Sequence, residues 1–327
     1  MALDEQTSAF LERAAQNATK PRHEMTPAQA REAMKELRNL LGSGPEMADT
    51  GRFDVPVDGG MVPLDLFVPC ADPAGIIVYF HGGGWVMGSA NEFEPLARSL
   101  AASTGCWVAL VGYRKAPEHR YPVAVEDAWA GLQFCAENRE RFAGARFPLL
   151  VAGDSAGANL AIVTTMRARD RGGPHIDGQV LAYPVTDCDF DRPSYTSAAH
   201  QLMLTRETMC WYWDHYVPDR EPRIEPEASP LRAKDFKGLP PAVVITAEHD
   251  VLLDEGEEFA QALAAAEVPV VHRRFDGQMH AFLMMVDLLP GSASGIEFIG
   301  RTVRDLLYRL AGSMPIAGWT DGEEPTS

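Results

Sequence analysis

The chain has 327 residues, 46% of them hydrophobic and 23% charged, enough apolar material for one sizeable core or at most two small ones, which excludes a disordered or fibrous protein. Its net charge of −17 repels phosphate backbones and anionic lipid headgroups, so no nucleic-acid partner is expected. The longest apolar runs, such as 75–80 and 148–153, fall far short of the ~20 residues a membrane span needs.

The N-terminal stretch Met1-Ala2-Leu3-Asp4-Glu5-Gln6 is acidic and lacks a basic start followed by an apolar run, so a soluble, cytoplasmic protein is expected. Thr26-Pro27, a cap residue followed by a proline at the first helical position, leads into Ala30, Met34, Leu37, Leu40 and Leu41 and predicts a helix. The segments 53–57 and 61–68 flank the turn signal Asp58-Gly59-Gly60 and predict an antiparallel hairpin at one edge of a sheet. The runs 75–80, 107–112, 149–152, 179–183, 242–246 and 268–275 are almost continuously apolar, as in parallel strands buried on both faces. Helices are expected between them: one capped by Asn91 and running to about Thr104, one over 123–138, and one opened by Asp254 and Glu257 as a D-x-x-E cap. This alternation is the signature of an α/β fold.

Two segments stand outside it. Residues 1–45 and 187–237 are predicted as helical pieces, the second rich in large apolar side chains (Met203, Leu204, Met209, Trp211, Tyr212, Trp213, Tyr216) that must cover something. Both are assigned to a cap over the carboxyl ends of the strands, where ligands bind in open α/β sheets, leaving 46–186 and 238–327 as the two parts of the main domain. Five scattered cysteines, Cys70, Cys106, Cys135, Cys188 and Cys210, contain no C-x-x-C pair and are expected to be reduced and mainly buried. The tail 321–327 is polar.

The chemistry starts after the run 149–152 with Gly153-Asp154-Ser155-Ala156-Gly157, followed by a helix-like stretch. A strand, a G-x-S-x-G turn and a helix make a nucleophile elbow, whose small residues let two backbones approach while the serine hydroxyl stands exposed. A serine needs a base, and the base needs a group that fixes its tautomer; in this architecture they follow in the order serine, acid, histidine. Asp250 lies just beyond the run 242–246, and His280 follows the last strand in Gly277-Gln278-Met279-His280. Asp254 is better explained as a helix cap, His272 as a side chain serving one sheet face, and His249 as pointing elsewhere. Directly after 75–80 stands His81-Gly82-Gly83-Gly84-Trp85, a glycine run that lets main-chain N–H groups converge on a developing oxyanion. Gly83, Gly84 and Ala156 are assigned as its donors, His81 as a support of the loop, and Asp154 as a hydrogen-bonding group near the turn. Trp85 and Leu204 are candidates to line the acyl or alcohol pocket. The nine histidines include no H-E-x-x-H or H-x-H pair, so neither metal nor cofactor is expected.

These residues resemble the bacterial hormone-sensitive-lipase-like esterases of the α/β-hydrolase fold. Besides HGGGW and GDSAG, Tyr113-Arg114-Lys115-Ala116-Pro117-Glu118-His119 is similar to the family's YRLAPEH with Lys115 in place of leucine, and residues 121–127 and 183–187 are similar to FPAAVED and YPVTD. Residues 249–256 resemble DPLRDEG, which favours Asp250 over Asp254 as the acid, and Gly277-Gln278-Met279-His280-Ala281-Phe282 resembles G-x-x-H-G-F with Ala281 in place of glycine. The elbow continues Gly157-Ala158-Asn159, with alanine where glycine is usual. The resemblance spans residues 25–312 and implies a mostly parallel eight-stranded sheet with helices on both faces, a helical cap, and hydrolysis of short to medium acyl esters by Ser155, His280 and Asp250. The same triad would also serve a lactone, an amide or an acetylated small molecule, and the fold also serves non-catalytic receptors. An open last strand would favour a homodimer.

Overall fold

In the computed structural model of the chain, residues 2–17, 20–139, 147–312, 316 and 319 are described; the polar tail 321–327 lies outside them. Eight strands form one sheet: β1 (Asp49–Val57), β2 (Gly60–Val68), β3 (Ile76–Phe80), β4 (Trp107–Val111), β5 (Leu149–Asp154), β6 (Gly178–Ala182), β7 (Ala242–His249) and β8 (Val270–Met279), in the spatial order β1-β2-β4-β3-β5-β6-β7-β8. The β1–β2 hairpin turns at 58–59 and pairs antiparallel, and β2 is antiparallel to β4; every later pairing is parallel. β3 and β4 are buried along their whole length, as their unbroken apolar sequences require of strands covered on both faces. The open edge at the far end of the sheet is β8.

The main-domain helices are α3 (Ala90–Thr104), α4 (Val123–Glu137), α5 (Ala156–Arg171), α9 (Leu253–Ala265) and α10 (Pro290–Leu310). The N-terminal segment carries α1 (Glu5–Asn17), a short 3-10 turn at Arg22–Glu24 and α2 (Pro27–Arg38). The segment 187–237 carries α6 (Pro193–Thr196), α7 (Arg206–Tyr216) and α8 (Arg220–Arg223) between 3-10 turns, helical as its composition suggested. α2 begins as expected: Gln29 N–H donates to Thr26 Oγ1 at 3.3 Å while Thr26 N–H donates to the Gln29 side chain at 3.0 Å. Among the described residues no helix is long and apolar enough to cross a membrane.

Several expected boundaries are corrected. α3 starts at Ala90, so the cap position belongs to Ser89, whose hydroxyl donates to the Glu92 carboxylate, and Asn91 lies inside the first turn. α9 starts at Leu253, which puts Asp254 inside the helix; its carboxylate accepts the Ser194 N–H at 2.8 Å instead of capping. β8 continues to Met279, four residues beyond the apolar run, because its pairing with β7 resumes past a register irregularity at 247–249 and sets His249 opposite Met279. Of the five cysteines, only Cys106 and Cys135 are buried; Cys70 is exposed and Cys188 and Cys210 are half-buried.

The N-terminal segment is fastened to the main domain by Arg31 of α2. Its guanidinium donates to the main-chain oxygens of Val86 and Ala116, both at 2.8 Å, and pairs with Glu118 at 2.6 Å. α2 is thereby held against the chain that follows the glycine run.

Candidate active site

Four loops at the carboxyl ends of neighbouring strands build the site. The glycine run follows β3, the elbow follows β5, Asp250 follows β7 and His280 follows β8. β3 pairs with β5 and β7 with β8, so each pair of strands delivers two adjacent loops. The pairing of His249 with Met279 makes Asp250 and His280 the next residues along two neighbouring strands, which brings an aspartate and a histidine thirty positions apart into contact.

Ser155 sits at φ +55°, ψ −120°, between β5 and the first turn of α5. That conformation costs a non-glycine residue on the order of 1–3 kcal/mol and persists because its surroundings over-determine it. Ser155 N–H donates to the Ala182 oxygen at 2.8 Å, and its own oxygen accepts from Asn159 N–H at 3.1 Å. The turn closes only around glycine: a Cβ on Gly157 would lie 1.9 Å from the Phe80 oxygen.

His280 Nδ1 lies 2.7 Å from Asp250 Oδ2, and His280 Nε2 lies 3.1 Å from Ser155 Oγ. A carboxylate only accepts, so Nδ1 carries the hydrogen, and Nε2 of the neutral ring is left to accept from the serine hydroxyl. Asp250 Oδ1 accepts the Leu252 N–H at 3.0 Å, which fixes the carboxylate's rotation. Asp250 keeps 1% of its surface whereas Ser155 and His280 keep 6% and 7%, so the acid is sealed behind the pair that reaches the open space. The Tyr183 ring stands edge-on to the imidazole, 4.9 Å between centroids. His249 turns away, its Nδ1 3.2 Å from the Ala199 oxygen, and His272 contacts Thr246 Oγ1 at 3.1 Å from inside β8.

Ser155 and His280 open onto a cavity of about 70 Å³ that Gly83 and Gly84 also line. Those glycines have φ +103° and +60°, and a Cβ on Gly84 would lie 2.2 Å from the Tyr212 ring, so no other residue permits this approach. Among the described residues the N–H groups of Gly83, Gly84 and Ala156 donate to no protein acceptor. Ala156 is the first residue of α5, whose dipole adds positive potential at that end.

Asp154 and His81 behave as supports. Asp154 Oδ1 accepts from Tyr79 Oη at 2.7 Å and from Gly82 N–H at 2.9 Å, tying the elbow to the glycine run. Complete burial raises its carboxyl to about 6 against the lowering effect of those two donors. The His81 ring stacks between Phe93 and Tyr113, with centroids 5.1 and 4.4 Å away, and its Nδ1 lies 2.7 Å from the Gly82 oxygen. Burial, with help from Lys115, drives its basicity down to about 3, so it stays neutral.

Of the two pocket candidates, Leu204 lines the cavity and Trp85 does not. Trp85 has φ +58°, which turns its ring away from the site into full burial, stacked on Tyr216 at 4.3 Å and edge-on to Trp213 at 5.2 Å. It pins α7 to the glycine run, a packing role. Lining residues that sequence reasoning missed include Arg22, Met87, Phe93, Thr208, Ala281 and Met284. Only Ala281 carried a signal, as an alanine where a glycine is usual; it has φ +64°. Among the described residues no three His, Cys, Asp or Glu side chains are grouped to hold a metal ion.

Glu255, five residues past Asp250, anchors the segment after β6: its Oε1 accepts the N–H groups of Thr186 at 2.7 Å and Asp187 at 3.3 Å. Full burial pushes its carboxyl up to about 8 from an ordinary 4.5, in spite of those N–H groups. Between these two values the folded chain holds a proton that the unfolded chain has released, so stability from this group is lost as pH rises through the window. Glu255→Gln keeps both N–H contacts without an ionisable group. Urea unfolding at pH 5 and pH 9 is expected to show the variant gaining about 2–4 kcal/mol on the natural protein between the two. Equal differences at both pH values would mean that Glu255 ionises normally.

A model of the alpha/beta hydrolase fold family matches residues 77–284, more than half of the chain. The chain is 36% identical over 255 residues to the carboxylesterase NlhH of Mycobacterium tuberculosis, covering 76% of this chain and 79% of that protein. To the ethyl acetate hydrolase of Pseudomonas putida it is 30% identical over 313 residues, 91% of this chain and 98% of that one. The crystal structure of a thermostable esterase from Pseudomonas putida superposes with a TM-score of 0.88 at 34% identity, covering 94% of this chain and 98% of that one. With its fold and a family match of this extent, the chain belongs to the α/β hydrolases, within their hormone-sensitive-lipase-like branch of carboxylic ester hydrolases.

Proposed function

We propose that the protein hydrolyses short-chain carboxylic esters through an acyl-enzyme on Ser155. His280 takes the hydroxyl proton as Oγ attacks the ester carbonyl, and Asp250 holds the imidazole in its working tautomer and balances the imidazolium that forms. The N–H groups of Gly83, Gly84 and Ala156 receive the oxyanion, each donor of this kind being worth roughly 3 kcal/mol of barrier. His280 then protonates the departing alcohol and, in the second half, draws a proton from the water that releases the acid.

The observation that carries this reading is the unbroken line Asp250–His280–Ser155, with links of 2.7 and 3.1 Å, ending at a cavity beside unengaged main-chain N–H groups. A cavity of about 70 Å³ favours short acyl groups over long chains, and the similarity to an ethyl acetate hydrolase points the same way. We read the segments 1–45 and 187–237 as the cap that closes this space, since Arg22, Met34 and Leu37 of the first and Met203, Leu204, Thr208 and Tyr212 of the second line it.

A series of 4-nitrophenyl esters from acetate to dodecanoate tests the proposal. The ratio kcat/KM is expected to peak between acetate and hexanoate and to fall at least about tenfold by dodecanoate, as methylenes without a pocket are rejected. A flat profile, or a maximum at dodecanoate, would overturn the short-chain assignment.

A further inference from the structure

The walls of the cavity over Ser155 are mostly apolar, with Met34, Leu37, Met87, Phe93, Leu204 and Met284 among them. Arg22 is the one arginine or lysine among the described residues that line it. It comes from the short 3-10 turn before α2, which brings a guanidinium from the N-terminal segment to the serine's cavity.

Its surroundings leave that charge unmatched. The one hydrogen bond the Arg22 side chain makes among the described residues runs from Nη1 to Met87 Sδ at 3.0 Å, and a thioether is a weak acceptor. No carboxylate lies within ion-pair distance of it among the described residues, in a chain whose acidic side chains outnumber its basic ones by 46 to 29. Arginines held elsewhere in the fold carry an acid, Arg31 with Glu118, Arg98 with Glu94, Arg114 with Asp127 and Arg167 with Glu126 and Glu227, while Arg38 and Arg304 bond main-chain oxygens and Arg273 and Arg301 lie over aromatic rings. Asp154, on the same cavity, makes neither a hydrogen bond nor an ion pair with Arg22; its Oδ1 faces Tyr79 and Gly82. A half-buried guanidinium with planar paired donors, facing an apolar chamber and with no stronger protein acceptor than a thioether, is built to receive a carboxylate from the ligand.

We infer that Arg22 forms an anion subsite and that the preferred esters carry a carboxylate in their acyl or alcohol portion. This rests on the ester-hydrolase proposal and adds a substrate class to it. A single carboxylate suits the site better than a polyanion, since the net charge of −17 opposes approach of multiply charged ligands.

Two matched pairs test the inference: phenyl acetate against 4-carboxyphenyl acetate for the alcohol side, and phenyl butyrate against the phenyl hemiester of succinic acid for the acyl side. The quantity read is the kcat/KM ratio of anionic to neutral ester, which does not depend on how much of a variant is folded. In R22Q that ratio is expected to fall about tenfold to a hundredfold for at least one pair, through KM, since a hydrogen bond to a charged group is lost. R22K, which keeps the charge but not the fork, is expected to recover part of it, and the affected pair identifies the side that carries the anion. Unchanged ratios in R22Q for both pairs would overturn the subsite while leaving ester hydrolysis intact. Failure of the natural protein to turn over any of the four esters would overturn the ester-hydrolase proposal, and the subsite with it.

Discussion

Ser155→Ala is expected to lower kcat on 4-nitrophenyl acetate by about 10⁶-fold while leaving the protein folded, because the three residues of such a site act as a unit and loss of the nucleophile alone costs nearly as much as loss of all three. The substitution removes one atom. Alanine keeps the Cβ, so the backbone at φ +55°, ψ −120° stays as strained as before, and the elbow's contacts through Ser155 N–H and O are main-chain bonds that survive. What disappears is the 3.1 Å contact with His280 Nε2 and the hydroxyl oxygen that shares the cavity with Gly83 and Gly84. Residual catalysis should come from the main-chain N–H groups and from substrate binding, which alone give roughly 10³–10⁴ over water in related triads. Two measurements check it: turnover of the ester, and covalent labelling by a fluorophosphonate, which the variant should lose entirely. A variant that retains more than about one hundredth of the activity would show that Ser155 is not the nucleophile.

How much of this was legible in the sequence depends on how local the physical constraint is. The elbow is a local object: an apolar run, small residues at Gly153, Ala156 and Gly157, and a helix directly after, each needed because a Cβ on Gly153 would lie 2.4 Å from the Gly157 backbone. The glycine run after β3 and the hairpin around Asp58-Gly59-Gly60 are local in the same sense. The order of Asp250 and His280 along the chain, together with their places just past an apolar run, chose them from other aspartates and histidines, since the parallel strands β5 to β8 deliver their loops to one rim. The direction of Trp85 was not legible, because it follows from one positive φ and from partners, Trp213 and Tyr216, that arrive more than a hundred residues later. The end of β8 was hidden by Asp276-Gly277-Gln278, which follow the run 268–275 with no apolar residue although pairing with β7 resumes at Met279. Asp254 matched a capping pattern that a two-residue shift of the helix start made irrelevant. Arg22 gave no sign at all: it belongs to the charged N-terminal segment, and only the docking of that segment brings it to the cavity.

Asp250→Asn is expected to cut kcat about 10⁴-fold, the scale seen when the orienting carboxylate of such a triad becomes an amide. The neighbouring hydrogen bond decides how. Asp250 Oδ1 accepts the Leu252 N–H at 3.0 Å, so an asparagine here keeps its carbonyl oxygen on that side and points its NH₂ at His280 Nδ1. The opposite rotamer would set NH₂ against the Leu252 N–H in a site with 1% exposure, leaving two buried donors facing each other at a cost of about 1–3 kcal/mol. With an amide donor in front of it, Nδ1 must accept, and the ring hydrogen moves to Nε2, where it faces Ser155 Oγ and can no longer take the serine's proton. The variant should therefore fold, bind short esters with KM little changed and fail in the chemical step, with its imidazole in the Nε2–H tautomer by ¹⁵N NMR at neutral pH. Asp254→Asn is the control that separates the two carboxylates: its amide oxygen can still accept the Ser194 N–H, so the variant should lose at most about 1 kcal/mol of stability with kcat retained. If Asp250→Asn stayed within tenfold of the natural kcat while Asp254→Asn did not, the imidazole would be oriented from α9 and not from the end of β7.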